Sequence, residues 1–136
     1  MFELDERLER DTCVIGELAL CRVLLMNDAQ FAWVILVPRI EGLTELIELN
    51  PSQELEFWQE SRRVSQMLNE LYSPHKLNIA ALGNVVSQLH IHHIARFKHD
   101  VAWPQPVWGR QPAVPYEADA LAERLTQMRA YLSVDV

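Results

Sequence analysis

The sequence predicts a single α+β domain over residues 1–136, with a mainly antiparallel five-stranded sheet, one long covering helix and a C-terminal helix. Five short segments have the apolar content or the alternating pattern of β-strands. The long helix, residues 51–72, lies between the third and fourth of them, and a second amphipathic helix covers residues 117–132. The resulting order is helix, three strands, helix, two strands, loop and helix, which is typical of an α+β fold.

The first third of the chain is predicted to form a short helix and three strands. Residues 3–11 are highly charged with two leucines one turn apart, which indicates a surface helix. Residues 12–26 are interpreted as a β-hairpin with its turn at residues 16–17, Gly-Glu. Residues 31–37 are almost continuously apolar and end at a proline, so they are expected to form a central strand.

The long helix has clear start and stop signals. Asn50 is a favourable N-cap and Pro51 a favourable first helical residue, while Ser-Pro ends the helix near Tyr72. Two strands are predicted after it, over residues 77–82 and 86–96, with a Gly-Asn loop between them.

Composition limits the function classes. The net charge of −7 argues against broad nucleic-acid binding, although local positive groups would still allow a small anionic ligand. Neither a signal peptide nor an apolar run of membrane-spanning length is recognisable, so a cytoplasmic protein without membrane partners is expected. Cys13 and Cys21 lack metal-ligand spacing and are interpreted as reduced thiols in strands.

The strongest functional signal is the segment Gln-Leu-His-Ile-His-His-Ile at residues 88–94, which holds three of the five histidines. Polar and apolar residues alternate with the period of a half-buried strand. On a strand, Gln88, His90 and His92 point to one face, and Leu89, Ile91 and His93 point to the other. Two imidazoles and an amide would thus stand side by side on a sheet surface, an arrangement suited to chemistry on an anionic group.

Three interpretations of the His90 and His92 pair remain open: phosphate chemistry or binding, a metal pair, or a structural pair. Two histidines without a nearby third ligand make a poor zinc site, so no metal or other cofactor is expected. Positive charge near the site would come from four residues, namely Arg39, Arg96, Lys98 and Arg110. His93 faces the other side and is expected to pack against a helix or a partner.

The segment of residues 88–94 resembles the signature of the histidine triad (HIT) family, His-φ-His-φ-His-φ-φ, where φ is apolar. Upstream, Asn78 and the run Gly83-Asn84-Val85-Val86 resemble the family's Asn…Gly-Gln-x-Val lead-in. Residues 33–38, Trp-Val-Ile-Leu-Val-Pro, resemble its His-x-Leu-Val-x-Pro strand, and Asn27 falls where the family often has a ribose-contacting Asn or Asp. The resemblance covers roughly residues 14–98 and implies a HIT-like fold.

The resemblance implies a nucleotide hydrolase or nucleotidyl transferase that acts at an α-phosphate, of the nucleoside phosphoramidate or dinucleoside polyphosphate type. It implies that His90 is the nucleophile, which forms a covalent intermediate, and that His92 binds phosphate. Gln88 takes the place of the first triad histidine, and Trp33 that of a supporting histidine. A non-catalytic nucleotide-binding module that retains the pocket is the alternative. A homodimer is also implied, since HIT proteins commonly pair.

The expected site therefore has two groups of residues. The catalytic group is His90, His92 and Gln88; the substrate-binding group is Asn27, Asn78, Gly83, Asn84 and Arg96. Asn27 is equally well explained as a turn residue at a strand end. Trp103 and Trp108, in the proline-rich loop before the last helix, fit either core or interface anchors or a lid or stacking wall over a nucleotide base.

Overall fold

The computed structural model describes residues 1–135 and contains one five-stranded antiparallel sheet with strand order β1-β2-β3-β5-β4. The strands are β1 (Thr12–Glu17), β2 (Cys21–Met26), β3 (Ala32–Pro38), β4 (Lys76–Ala80) and β5 (Ile91–Arg96). The helices are α1 (Glu6–Asp11), α2 (Pro51–Tyr72) and α3 (Ala118–Leu132), with a 3-10 turn at Leu46–Glu48. The predicted fold class and element order are confirmed.

Helix α2 covers one face of the sheet and has the start and end that the sequence predicts. The Asn50 side chain accepts a hydrogen bond from the backbone N–H of Gln53, and the Gln53 side-chain oxygen accepts one from the backbone N–H of Asn50. The helix ends at Tyr72, where Ser73 adopts a left-handed conformation. Its buried side packs on the sheet through Phe57, Val64, Met67 and Leu68.

The hairpin turn does not lie at Gly16 and Glu17, as expected, but at residues 18–20. Gly16 stays within β1, beside an irregularity in its pairing with β2. A Cβ atom at Gly16 would lie 2.6 Å from the side chain of Val134, so glycine permits close packing of the C-terminal segment rather than a turn. The buried carboxylate of Glu60 in α2 accepts hydrogen bonds from the backbone N–H groups of Leu20 and Cys21 and holds the real turn.

The histidine strand also begins later than predicted, at Ile91 instead of residue 86, and β4 ends at Ala80. Residues 81–90 connect the two strands, and the backbone N–H of Leu89 in this connection donates to the carbonyl of Leu43, outside the sheet. Of the three histidines in the segment, His92 and His93 therefore lie on the strand, while His90 precedes it.

The opposite face of the sheet is covered by α1 and by the loop of residues 97–117. A second apolar cluster fills this side, with Leu8 from α1, Trp33 from β3 and Val107 from the loop. No helix within residues 1–135 is long and apolar enough to cross a membrane. The cysteines are free, and Cys21 is buried in the sheet.

Candidate active site

A cavity of about 390 Å³ opens on this second face, and both His90 and His92 line it. Its remaining wall comes from α1, from the end of β2, from the connection between β4 and β5 and from the proline-rich loop. These residues are Arg7, Leu8, Arg10, Asp11, Met26, Leu82, Gly83, Asn84, Val85, Val86 and Trp108. The volume is within the range of small-molecule sites.

His90 is held with one ring nitrogen free for chemistry. Its Nδ1 lies 2.7 Å from the carbonyl oxygen of Gln88. Because a carbonyl oxygen only accepts hydrogen bonds, Nδ1 carries the proton and Nε2 keeps its lone pair. The rings of His90 and His92 are 4.9 Å apart. A nucleophilic nitrogen and a second imidazole thus share one cavity.

His92 is fixed by a tryptophan. The indole Nε1–H of Trp33 in β3 donates to His92 Nδ1 at 3.0 Å, and Trp108 packs edge-on against the His92 ring at 5.0 Å. Burial, together with the smaller effect of the neighbouring His90 and His93, lowers the pKa of His92 to about 3. His92 is therefore a neutral imidazole whose proton is on Nε2.

His93 points into the core beneath α2. Its Nδ1–H donates to the carbonyl of Ile91 at 3.1 Å, and its Nε2 accepts from the Ser61 hydroxyl at 2.8 Å. Burial lowers its pKa to about 4. His93 consequently packs against a helix, as the sequence predicts, and takes no part in the cavity.

The Gln88 side chain does not stand beside the two imidazoles, because it leaves the cavity for the N-terminal segment. Its Oε1 accepts from the backbone N–H of Asp5, and its Nε2 donates to the carbonyl of Glu3, both at 2.8 Å. Asp5 in turn caps α1 and binds the guanidinium of Arg7. Gln88 thus holds α1 against the cavity, while its carbonyl orients His90.

The expected substrate-binding residues separate into three groups. Gly83 and Asn84 line the cavity, and Gly83 has a positive φ of 73° that suits glycine. Asn27 lies at an adjoining cavity, where its side chain accepts from the backbone N–H of Tyr116. Asn78 and Arg96 are not brought to the cavity, because they are bonded to each other away from it at 2.8 Å.

Arg96 is a buried residue that holds neighbouring segments together, and it does not face the cavity. It is 1% exposed, pairs with Asp100 at 2.9 and 3.1 Å and donates to the carbonyl of Gln105 at 2.7 Å. These bonds anchor the first part of the loop that carries Trp108 to the cavity. Trp103 packs against Arg96 and His75, away from the two catalytic candidates.

Sequence reasoning missed the positive groups of the cavity. Arg7 and Arg10 line it, whereas the four positive residues expected there do not. The leucine spacing in residues 3–11 indicated a helix with an apolar side, but it carried no information about the surface on which that helix docks. Within residues 1–135, no group of three or more His, Cys, Asp or Glu side chains is arranged to hold a metal ion.

The fold and this cavity define a small α+β domain that presents two neighbouring histidines to a cavity on one face of its sheet. The chain belongs to the histidine triad family, since the HIT domain model matches residues 7–99. It is similar over nearly its whole length to histidine triad proteins from three bacteria, Marinobacter aquaeolei VT8, Bradyrhizobium japonicum and Sinorhizobium meliloti 1021.

The three crystal structures agree closely with this fold. The Marinobacter protein is 49% identical, with a TM-score of 0.95 over 98% of this chain and 97% of its own. The Bradyrhizobium protein (blr8122) is 42% identical with a TM-score of 0.94, and the Sinorhizobium protein (SMc02904) 41% with 0.93. Both alignments cover 96% of this chain and 97% of the other. Among curated proteins, no similar sequence was found.

Proposed function

We propose that this domain is a nucleotide hydrolase or nucleotidyl transferase that acts at the α-phosphate of a nucleoside phosphate derivative through a covalent bond to His90. The observation that carries the proposal is the free Nε2 of His90 in the cavity, with Nδ1–H held by the Gln88 carbonyl. A neutral imidazole is a good nucleophile near pH 7.

In the first step, the lone pair of His90 Nε2 forms a bond to phosphorus, and the bond to the leaving group breaks with its electron pair on the leaving group. The Gln88 carbonyl stabilises the positive charge that develops on the ring, because it accepts the Nδ1–H hydrogen bond. Water then attacks phosphorus, the N–P electron pair returns to Nε2, and the proton of the water passes to solvent. The products are a nucleoside monophosphate and the restored histidine.

Phosphoryl transfer requires mostly positioning and charge stabilisation, and the cavity offers both. His92 donates from Nε2, and the guanidinium groups of Arg7 and Arg10 also line the cavity, where they are ion-paired with Asp5 and Asp11. Gly83 and Asn84 are proposed to contact the phosphate from the connection between β4 and β5. Asn27, beside the adjoining cavity, is retained as a ribose contact.

The apolar part of the wall suits a nucleoside base. Leu82, Val86 and Trp108 line the same cavity as the two histidines, and Trp108 is held in place by its edge-on contact with Trp33. Bases stack favourably on such aromatic surfaces. This position of Trp108 favours the stacking-wall interpretation for Trp108 over a purely structural one.

The second candidate is a non-catalytic nucleotide-binding module. It is favoured by the Gln88 side chain, which is hydrogen-bonded to the backbone of Glu3 and Asp5 and cannot carry a proton to or from a substrate. General acid–base help is typically worth ~10²–10⁴-fold, so its loss weakens turnover without removing the nucleophile.

The test is to incubate the protein with adenosine and guanosine phosphoramidates and dinucleoside polyphosphates and to look for a nucleotidyl mass increase on His90. The His90→Ala variant should lose the adduct and turnover while its nucleotide affinity changes little. His75→Ala is the control, since His75 is exposed and lies outside the cavity. Nucleotide binding without any adduct or turnover in the unmodified protein would support the binding module instead.

A further inference from the structure

We propose that this site holds no side-chain acid beside the leaving group, and that it therefore selects nucleotides whose leaving group departs as a stable anion. Trp33 acts as a positioning residue. Its hydrogen bond fixes the tautomer of His92, so that His92 cannot serve as the acid. The inference rests on the proposed hydrolase function and names the class of substrate within it.

The first support is the bond between Trp33 and His92. An indole N–H is only a donor, so at 3.0 Å it requires an unprotonated Nδ1 on His92. A second proton on His92 would have to displace the indole, which is buried in the cluster with Phe31 and Trp108. The Nε2–H that remains donates a hydrogen bond to a phosphate oxygen, but its loss would leave an imidazolate anion.

The second support is the state of every other titratable group that faces the cavity within the described residues. His90 keeps its Nδ1 proton on a carbonyl, and its Nε2 is used for attack. Both oxygens of Asp11 accept hydrogen bonds from Arg10, at 2.9 and 3.1 Å. Arg7 is held by Asp5 and by the carbonyl of Val85, and an arginine does not release its proton.

The third support is Gln88, which stands at the position of the first triad histidine. An amide carries no transferable proton, and both of its polar atoms are already bonded to the N-terminal segment at 2.8 Å. The departing group thus meets neutral donors and arginines but no acid that can protonate it.

The chemistry of the leaving group follows. A phosphate, polyphosphate or aryl oxide takes the electron pair of the broken P–O bond and leaves as an anion without a proton. An alkyl amine would have to leave as a strongly basic amide anion unless a proton reached its nitrogen first. Alkyl phosphoramidates are therefore expected to be poor substrates, and anhydrides and aryl esters good ones.

The kinetic test compares two substrates on the intact protein, adenosine 5′-monophosphate p-nitrophenyl ester and the corresponding n-butyl phosphoramidate, with guanosine pairs in parallel. The amidate should react at least ~10²-fold more slowly, the smallest effect expected for a missing acid. Adding imidazole buffer at constant pH should accelerate the amidate but not the ester, because imidazolium supplies the proton. Amidate turnover within tenfold of the ester and independent of buffer would overturn the inference alone. Turnover of neither substrate would overturn the hydrolase proposal as well.

The tautomer is tested without any activity, by ¹⁵N NMR of histidine-labelled protein. His92 should keep an unprotonated Nδ1 and a protonated Nε2 from pH 5 to pH 8. Trp33→Phe, which keeps a ring but removes the donor, should shift Nδ1 towards a protonated or mixed state. Trp108→Phe is the matched control, since Trp108 touches the same ring without a hydrogen bond and its replacement should leave the His92 tautomer unchanged. Imidazolium or Nδ1–H at His92 in the unsubstituted protein would overturn the proposal even if Trp33→Phe fails to fold.

Discussion

Replacing Asp100 by Asn tests whether the stability of the loop of residues 97–117, which carries Trp108 to the cavity, depends on a buried ion pair. The two side chains have nearly the same shape, so the substitution removes charge without opening a cavity. Arg96 and Asp100 are 1% and 4% exposed as side chains, and the carboxylate also accepts from the backbone N–H groups of Phe97, Ala102 and Trp103. The variant leaves the Arg96 guanidinium buried without a counter-charge.

Removal of one partner of a buried pair costs ~3–5 kcal/mol. This is a large part of the ~5–15 kcal/mol that stabilises a typical domain. With a urea m-value of about 2 kcal/mol/M for a chain of this size, the midpoint of unfolding should fall by about 2 M. Urea titration followed by tryptophan fluorescence measures this shift directly.

Asp11→Asn is the matched control, because Asp11 also pairs with an arginine but in solvent. Arg10 and Asp11 are 69% and 49% exposed as side chains, so their pair should contribute no more than ~1 kcal/mol. Equal loss of stability in the two variants would refute the reasoning that burial gives the Arg96 pair its importance.

Three further predictions concern the pH dependence of stability, the hydrogen bonds between Gln88 and the N-terminal segment, and the oligomeric state. The lowered pKa values of His92 and His93, about 3 and about 4, mean that the unfolded chain binds protons that the folded one excludes. The unfolding free energy should therefore fall below pH 6.5 by ~1.4 kcal/mol per pH unit for each ring, and equal values at pH 7 and pH 5 would contradict this. Gln88→Ala should cost ~1–2 kcal/mol and speed amide hydrogen exchange in residues 3–11, as measured by mass spectrometry. Because β4 leaves one sheet edge unpaired, we expect a symmetric homodimer, and sedimentation that finds only monomer at micromolar concentration would count against it.

Local patterns predicted much of the fold because the information lies within a few neighbouring residues. The Asn-Pro start and Ser-Pro end of α2 place its boundaries to within a residue, and the apolar run of β3 shows a strand buried on both faces. Gly16 was misread because glycine is needed both in turns and where two segments approach closely. The close neighbour at that point is Val134, over a hundred positions away.

The contacts that hold the site in place could not be predicted either, because they join residues that are far apart in the sequence. Gln88 reaches Asp5 across 83 positions, and Trp33 reaches His92 across 59. The second contact depends on strand register, which pairs Ile35 with His92 and so brings Trp33 to the diagonal position on the same face. Composition and periodicity identify the two imidazoles, but they do not predict how β3 and β5 are aligned. The tautomer of His92 therefore follows only from the folded chain.

The adjacent residues His92 and His93 anchor β5 from opposite sides. One imidazole is bonded to an indole of β3, and the other to a hydroxyl of α2. The position of the reactive pair is consequently set when the sheet and helix assemble, and the entropy of ordering these rings is lost during folding. Under the proposed function, an incoming phosphate would meet a His92 ring whose orientation is already fixed, so little of its binding energy would be consumed in arranging that ring.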